Sequence, residues 1–184
     1  MLSYISSLIA LSPELESEIK RISKEITVPK NHILTKTGER SHNLFFVESG
    51  TLRGYYFQEE KEITNWFAQE GEFATCFYAF IGGHPSFESI QAIEQTVLTV
   101  ISFEALKTLY RNFPETERIG RVITEAYYMK LEERLLNIRF KTAKERYHNL
   151  IESRPALMQS ASLGQIAAYL GITQETLSRI RAEL

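Results

Sequence analysis

The last 23 residues constrain the fold most, because they carry the spacing of two short helices joined by a tight turn. Ser162 and Gln165 fit a capping box at the start of the first helix, and Gly171 stands where that helix must end in a left-handed conformation. Thr173 can cap the second helix, and Ala167 is small where the two helices cross. The inward positions are apolar: Ile166, Leu170, Ile172, Leu177 and Ile180. This spacing predicts a helix-turn-helix.

The outward face of the second helix carries groups that can read bases: Gln174, Glu175, Ser178 and Arg179. Arginine can donate two hydrogen bonds to guanine, glutamine can pair with adenine, and glutamate can accept from cytosine. We therefore predict these four side chains as DNA-binding residues. Because two helices held by such a turn also occur in proteins that do not bind DNA, a purely structural role is the alternative.

Charge is distributed unevenly along the chain. Residues 139–184 hold seven Lys or Arg against four Glu, whereas residues 1–138 hold 14 against 19. A basic module on an acidic body is what a chain needs if only its C-terminal part meets a polyanion, although chance gives the same asymmetry about as often. For Lys144 and Arg146, contact with phosphate is the weaker prediction and a plain surface charge is the stronger one.

The N-terminal part is predicted to be a β-structure behind a helical start. Residues 1–25 are predicted helical, with Ser12 as N-cap and Pro13 at the first helical position. Between residues 26 and 103, short runs rich in β-branched and aromatic residues alternate with turn signals, which indicates an antiparallel roll or barrel. These runs are Leu44–Val47, Leu52–Phe57, Ile63–Phe67 and Val97–Phe103.

From about Pro114 the apolar period becomes helical, which predicts a long helix over 114–140. One stripe has heptad spacing, interrupted by Glu133, and is predicted to form a dimer interface. Its apolar members are Ile119, Val122, Ala126, Met129, Leu136 and Phe140. A second stripe runs through Ile123, Tyr127, Leu131, Leu135 and Ile138. A helix that is apolar on two faces needs two partners, the roll and a second copy of the chain; one wide core-facing stripe is the alternative.

Composition excludes several classes of protein. The chain has no Asp, which excludes a phosphoaspartate receiver and a Ser-His-Asp triad, and its one cysteine, Cys76, excludes a disulfide and a four-cysteine metal site. No signal peptide or run of ~18 apolar residues is evident, so a soluble, cytoplasmic protein is predicted. A cupin-type enzyme would need a His-x-His pair, and no such pair is present. We predict no enzymatic activity.

In this order, β-roll, long helix and helix-turn-helix resemble the Crp/Fnr superfamily of bacterial transcription regulators. The most similar segments are GITQETLSRI (171–180) and the roll segment over 43–73. The resemblance implies an α+β chain with three parts: a cyclic-nucleotide-binding-like antiparallel β-roll sensor (1–113), a dimerisation helix (114–140) and a DNA-binding domain (141–184). It also implies a homodimer on a palindromic operator that acts with RNA polymerase. Gln174, Glu175 and Arg179 fall on the family's base-reading positions; cyclic-AMP-responsive members have arginine where this chain has Gln174.

The ligand-binding residues of the cyclic-nucleotide-responsive members are missing. Aligned without a gap, the positions of their Gly-Glu and Arg-Ser pairs hold Thr75, Cys76, Ser86 and Phe87, so both charged ligand contacts are lost. We therefore expect no tight cyclic-AMP binding by the family's mode. The roll pocket, if present, is predicted to be lined by some of Thr75, Cys76, Tyr78, Ser86 and Ser89, and to take an unknown small molecule or none.

Other sensor chemistries of the family fit poorly. An iron–sulfur cluster needs several cysteines, and His32, His42, His84 and His148 are scattered singly, so a haem ligand is not expected. Cys76 is predicted to be a buried structural residue rather than a redox thiol. No cofactor or metal is predicted. Because the sequence ends at Leu184, we expect a winged-helix-like unit with a short or missing wing, and a module that has lost DNA binding is the alternative function.

Overall fold

Eight strands form two antiparallel sheets within residues 1–183, the part of the chain that the computed structural model describes. The strands are β1 (Ser23–Val28), β2 (Ile33–Thr35), β3 (Asn43–Ser49), β4 (Thr51–Gln58), β5 (Lys61–Gln69), β6 (Phe73–Ala74), β7 (Ser89–Ala92) and β8 (Thr96–Ser102). One sheet has the order β1-β8-β3-β6 and the other β2-β7-β4-β5. Both sheets contribute buried side chains to one core, among them Phe45 and Leu98 from the first sheet and Leu52 and Ile90 from the second. The predicted β-roll is confirmed.

Two helices precede the strands, one lies between β6 and β7, and the others follow β8. The helices are α1 (Leu2–Ser6), α2 (Pro13–Ile22), α3 (Phe77–Gly82), α4 (Phe103–Asn112), α5 (Thr116–Phe140), α6 (Ala143–Ser153), α7 (Leu157–Ser160), α8 (Leu163–Leu170) and α9 (Gln174–Ala182). Ser12 caps α2 as predicted, accepting a hydrogen bond from the Leu15 N–H at 3.1 Å. A second buried cluster joins α1, α2, α4 and the start of α5 through Leu15, Leu109 and Ile119.

Local structure departs from the sequence predictions in several places, and residues 7–12, predicted as part of a helical 1–25, separate α1 from α2. Residues 23–25 belong to β1 rather than to a helix, because they pair with Thr99–Ile101 of β8. Helices α3 and α4 were not predicted; α4 begins where Ser102 caps it, accepting from the Ala105 N–H at 3.2 Å. Strand β8 therefore ends one residue before Phe103.

The C-terminal helices pack on the roll as well as on one another. Their core contains Tyr147, Leu157 and Leu177, and the same cluster includes Phe67 of β5 and Ile93 after β7. Tyr169 of α8 lies against Phe67 with ring centroids 5.3 Å apart. The helix-turn-helix is thus docked on the second sheet. Leu184 of the predicted DNA-binding domain lies outside the described residues.

Candidate nucleic-acid interface

The first helix of the predicted pair begins with the expected reciprocal cap. The Ser162 hydroxyl accepts from the Gln165 N–H at 3.2 Å, and the Gln165 side chain accepts from the Ser162 N–H at 2.9 Å. Gly171 ends the helix at φ +69°, a conformation that costs residues with a Cβ atom, and its N–H bonds to the Ala167 and Ala168 carbonyls. Thr173 then caps α9 by accepting from the Thr176 N–H at 3.2 Å. The predicted helix-turn-helix is confirmed.

Helix α9 buries one face and exposes the other. Leu177 and Ile180 are buried in the core with Ala167. The predicted base-reading residues all lie on the exposed side: Gln174, Glu175, Ser178 and Arg179. Arg181, which the sequence analysis did not single out, is also exposed; it follows Gln174 by seven residues, so the two share a helix face.

Local hydrogen bonds fix the charge of Glu175 at the start of α9. The backbone N–H of Glu175 and the Thr173 hydroxyl hold the pKa of the Glu175 carboxyl below its ordinary value, so it carries a negative charge at neutral pH. Arg179 lies one turn further along and donates to the Thr176 hydroxyl at 3.4 Å. The exposed face therefore presents an acceptor and a donor fork side by side.

The two basic residues of α6 have intrachain partners. Arg146 is half-buried and donates to the carbonyls of Leu170 at 3.1 Å and Lys141 at 2.7 Å, so it fastens α6 to the end of α8. Its role is structural, and the phosphate contact that the sequence suggested for it is not supported. Lys144 pairs with Glu183 on the surface at 3.0 Å.

The five residues predicted to line a roll pocket lie in different surroundings. Thr75, Cys76 and Ser86 are buried. The Thr75 hydroxyl donates to the Asn43 carbonyl at 2.9 Å, and the Ser86 hydroxyl donates to the Glu88 carbonyl at 2.6 Å. Of the two others, the Ser89 hydroxyl bonds Thr37, and Tyr78 is exposed and stacks on His84. The Thr75, Ser86 and Ser89 hydroxyls thus already have partners within the roll, and the lining of a roll pocket stays a prediction.

Glu88 was missed by the sequence analysis and changes the chemistry of this region. Its carboxylate is 2% exposed and accepts from Trp66 Nε1 at 2.8 Å and Asn65 Nδ2 at 2.9 Å. Gly54 faces Trp66 across the β4–β5 pair, and its lack of a Cβ atom lets the indole lie close enough to reach Glu88. Burial raises the pKa of Glu88, and hydrogen bonds from Trp66, Asn65 and Cys76 offset only part of this effect.

A buried carboxyl group beside Cys76 and Ser86 is unfavourable for a phosphate. Tyr127 of α5 faces the same group, and burial together with Glu88 raises the pKa of its phenol. Tyr127 also packs on Phe77 with ring centroids 4.2 Å apart. Aromatic rings and an acid therefore lie where α5 covers the roll, and the charge of Arg134 on α5 acts on both Glu88 and Tyr127.

An open cleft lies beside this region, where the roll, α5 and the C-terminal helices meet, and Asn65, Trp66 and Tyr127 line it. It has a volume of about 220 Å³. Its walls come from β5, β6 and the turn between them, from α5 between Ile123 and Arg134, and from Arg154 and Tyr169. None of the five residues predicted for a roll pocket lines it. Ala126, predicted for the dimer seam, is exposed and lines this cleft.

The predicted dimer stripe of α5 divides between the interior and the surface. The prediction of Ile119 as a dimer-interface residue is corrected, because its side chain is 6% exposed in the single chain. It packs on Leu15 and Leu109 within the same chain and is part of the core. Val122 is half-buried. Towards the C-terminal end the apolar side chains are exposed: Met129, Leu131, Leu135, Leu136, Ile138 and Phe140.

Comparisons with known proteins agree with this architecture. A family model described as "Cyclic nucleotide-binding domain" matches residues 25–113. The anaerobic regulatory protein of Haemophilus influenzae is 28% identical over 180 residues, which cover 91% of this chain and 69% of that protein. The fumarate and nitrate reduction regulatory protein of Escherichia coli is 27% identical, with 91% and 71% covered. The structure of FixK2 from Bradyrhizobium japonicum superimposes with a TM-score of 0.77 at 20% identity, covering 89% of this chain and 84% of that one.

Two further observations concern residues 1–183 alone. No helix there is both long and apolar enough to cross a membrane. No group of three or more His, Cys, Asp or Glu side chains among them is placed to hold a metal ion. Cys76, the one cysteine of the sequence, is free and buried.

Proposed function

Because the chain belongs to the Crp/Fnr superfamily of bacterial transcription regulators, we propose that it acts as a homodimer that binds a two-fold symmetric operator through α9. The division into a sensor roll (1–113), a dimer helix (114–140) and a DNA-binding domain (141–184) is part of this proposal. So is contact with RNA polymerase at the promoter. The observation that carries the proposal is the capped helix pair with an exposed polar face on α9.

Base reading is assigned to Gln174, Glu175, Ser178 and Arg179. All are exposed while the apolar side of α9 is held in the core, so the face is free to enter a major groove. The donor fork of Arg179 suits guanine, and the ionised carboxylate of Glu175 suits the amino group of cytosine. Arg181 lies on the same side and is assigned to the DNA backbone.

Dimerisation is assigned to the C-terminal half of α5. Met129, Leu136 and Phe140 recur at heptad-compatible spacing and are 53%, 48% and 78% exposed in the single chain. A second copy would cover them and set the separation of the two α9 helices, which we expect to be about 34 Å, one turn of DNA.

The effector is proposed to be something other than cyclic AMP, haem or an iron–sulfur cluster. The positions that hold the cyclic phosphate in nucleotide-responsive members are uncharged here, and Glu88 adds an acid next to them. A phosphate at those positions would lose the charge-assisted contact that the family's arginine supplies.

Selection of bound duplexes from a random DNA pool, at fixed moderate salt, tests DNA recognition. We expect a palindrome whose half-sites are one helical turn apart. If the purified protein enriches no sequence, with or without added cell metabolites, DNA recognition is contradicted. The alternative, a ligand-binding or protein-interaction module that has lost DNA binding, is then favoured.

Arg179→Ala tests direct readout on the selected sequence. We expect a loss of about 1–3 kcal/mol at one base position, with relaxed specificity there. Arg111→Ala is the matched control, since Arg111 of α4 makes the same arginine-to-threonine contact three residues back, to Thr108 at 3.2 Å, away from α9. An equal loss of affinity on every sequence would show that Arg179 contacts the backbone rather than a base.

A further inference from the structure

The cleft between the roll, α5 and the C-terminal helices has an aromatic interior. Tyr4 and Phe73 meet at one side with ring centroids 5.7 Å apart, and Phe67 and Tyr169 meet at another with centroids 5.3 Å apart. Tyr127 lines it from α5. Aromatic walls of this kind bind a flat ring by edge and face contacts.

The charged lining of the cleft is mainly positive. Lys130, Arg134 and Arg154 line it, and Glu72 is the one acid among its lining residues. Arg134 is committed to the structure: it stacks on Tyr169 and donates to the carbonyls of Thr64, Asn65 and Tyr169. Lys130 and Arg154 instead direct donors at a carboxylate, that of Glu72, and Arg154 also donates to the Phe67 carbonyl at 3.3 Å.

Glu72 shows which chemical group this pair of cations holds. Its carboxylate accepts from Lys130 Nζ at 2.5 Å and from Arg154 Nη1 and Nη2 at 3.1 and 2.9 Å. The Gln69 N–H completes the set at 3.0 Å. Burial alone would raise the pKa of Glu72, but Arg154 and Lys130 hold that pKa below its ordinary value. A forked arginine with a lysine beside it is a receptor for a carboxylate.

We propose that this cleft is a binding site for a small aromatic carboxylic acid, whose carboxylate takes the place of Glu72 on Lys130 and Arg154 while its ring lies against Phe73, Tyr127 and Tyr169. The cleft of about 220 Å³ is smaller than the ~300–1,000 Å³ of sites for drug-sized ligands, which favours a molecule of one or two rings. Glu72 then acts as a tethered competitor for the same cations.

A ligand in the cleft would affect contacts between the roll, α5 and the C-terminal helices. Glu72 lies next to β6 in the roll, Lys130 on α5, and Arg154 at the end of α6, so displacing Glu72 breaks a contact that ties the DNA-binding unit to the roll. A ligand that favours one arrangement of these parts shifts their equilibrium. This regulatory consequence rests on the proposed DNA-binding function, whereas binding to the cleft does not.

Isothermal titration of the full chain with phenylacetate and indole-3-acetate tests the binding site. Each acid is compared with its uncharged amide, which keeps the ring and removes the charge. We expect the acids to bind about tenfold more tightly than the amides, because only the acids use the two cations.

Two variants with opposite expected effects separate this site from a merely structural ion pair. Glu72→Gln removes the competitor and is expected to tighten acid binding about tenfold, whereas Lys130→Gln is expected to weaken it about tenfold. Lys130 is half-exposed, so its replacement leaves the fold intact. Lys107→Gln, which removes a surface lysine paired with Glu104 on α4 at 2.8 Å, is the matched control and should change nothing.

The proposal is overturned if neither acid binds the unaltered protein or Glu72→Gln, or if the two variants shift affinity in the same direction. Adding the acids to the operator-binding assay tests the consequence separately. Acid binding without a change in DNA affinity overturns the regulatory role. A protein that binds the acids but no DNA contradicts the proposed function and leaves the cleft assignment supported.

Discussion

The two halves of α5 have the same kind of apolar spacing but different surroundings. In the N-terminal half, Ile119 is 6% exposed because α2 and α4 cover it. In the C-terminal half, Leu136 and Phe140 are 48% and 78% exposed, although they continue the same stripe. Apolar spacing therefore identifies which side of a helix avoids water, but it does not identify the surface that covers that side.

This contrast explains how one helix can serve both stability and assembly. The covered half joins the core of α1, α2 and α4 and fixes the start of α5 against these helices. The uncovered half leaves several large apolar side chains in water, and covering such a patch is favourable by about 25 cal/mol per Å². If the halves differ in this way, substitutions in them should affect different measurements.

Charges in the uncovered half should have the largest effect. We expect Leu136→Glu with Phe140→Glu to weaken self-association about 1,000-fold, near 4 kcal/mol, because each acid would be buried opposite its copy in the dimer. Sedimentation equilibrium measures this directly. Ile81→Glu, at an apolar residue of α3 that is 59% exposed, is the matched control. Equal dissociation by the control, or none by the pair, would contradict the assignment of the interface.

Truncation in the covered half should instead destabilise the single chain. We expect Ile119→Ala to lower the free energy of unfolding by about 2–5 kcal/mol, since it leaves a cavity among Leu15 and Leu109. Leu136→Ala should change the unfolding of the dissociated chain by less than about 0.5 kcal/mol. Denaturant titration of both variants, at protein concentrations low enough to keep the chain dissociated, compares the two. Similar losses at both positions would remove the distinction between the halves.

Local sequence signals predicted the parts of the fold that depend on near neighbours. Ser12, Ser162 and Thr173 cap helices as expected, and Gly171 ends α8 with positive φ. In each case the partner lies within a few residues, so the physical cause is visible in the sequence. The same kind of signal was present but not used at Ser102, which caps α4.

Distant partners account for what the sequence did not reveal. Trp66 and Glu88 are 22 residues apart, and Glu72 and Arg154 are 82 apart, so their pairing follows only from the docking of whole elements. The aligned positions indicated that the family's charged residues are missing, but they did not reveal the buried carboxyl of Glu88 next to those positions. The burial of Ile119 depends likewise on α2 and α4, and the heptad spacing of α5 does not predict that these helices pack on it.

The roll-facing side of α5 contacts an acid near the boundary of its two halves, where Lys130 meets Glu72. We expect Glu72→Gln to lower the free energy of unfolding by about 1–2 kcal/mol at neutral pH, because hydrogen bonds from two cations are lost. The folded-state pKa of Glu72 is lowered, so this stability is present above the ordinary value of 4.5 and lost as pH falls below it. Unfolding curves of both proteins should converge in acid. A difference that grows as pH falls would contradict the ion-pair assignment.

The covered half faces a second acid, Glu88, through Tyr127, and here the pH dependence should have the opposite sign. Burial raises the folded-state pKa of Glu88, so its contribution is fully present below the ordinary value of 4.5 and lost as pH rises through the folded value. Gln in its place has the same size, keeps an acceptor for Trp66 and does not ionise. We therefore expect the difference in unfolding free energy between the two proteins to shift in favour of Glu88→Gln as pH rises. Chemical denaturation across pH 4.5–8 measures that slope. Slopes of the same sign for the two glutamates would contradict the assignment in which two cations dominate the pKa of Glu72 and burial dominates the pKa of Glu88.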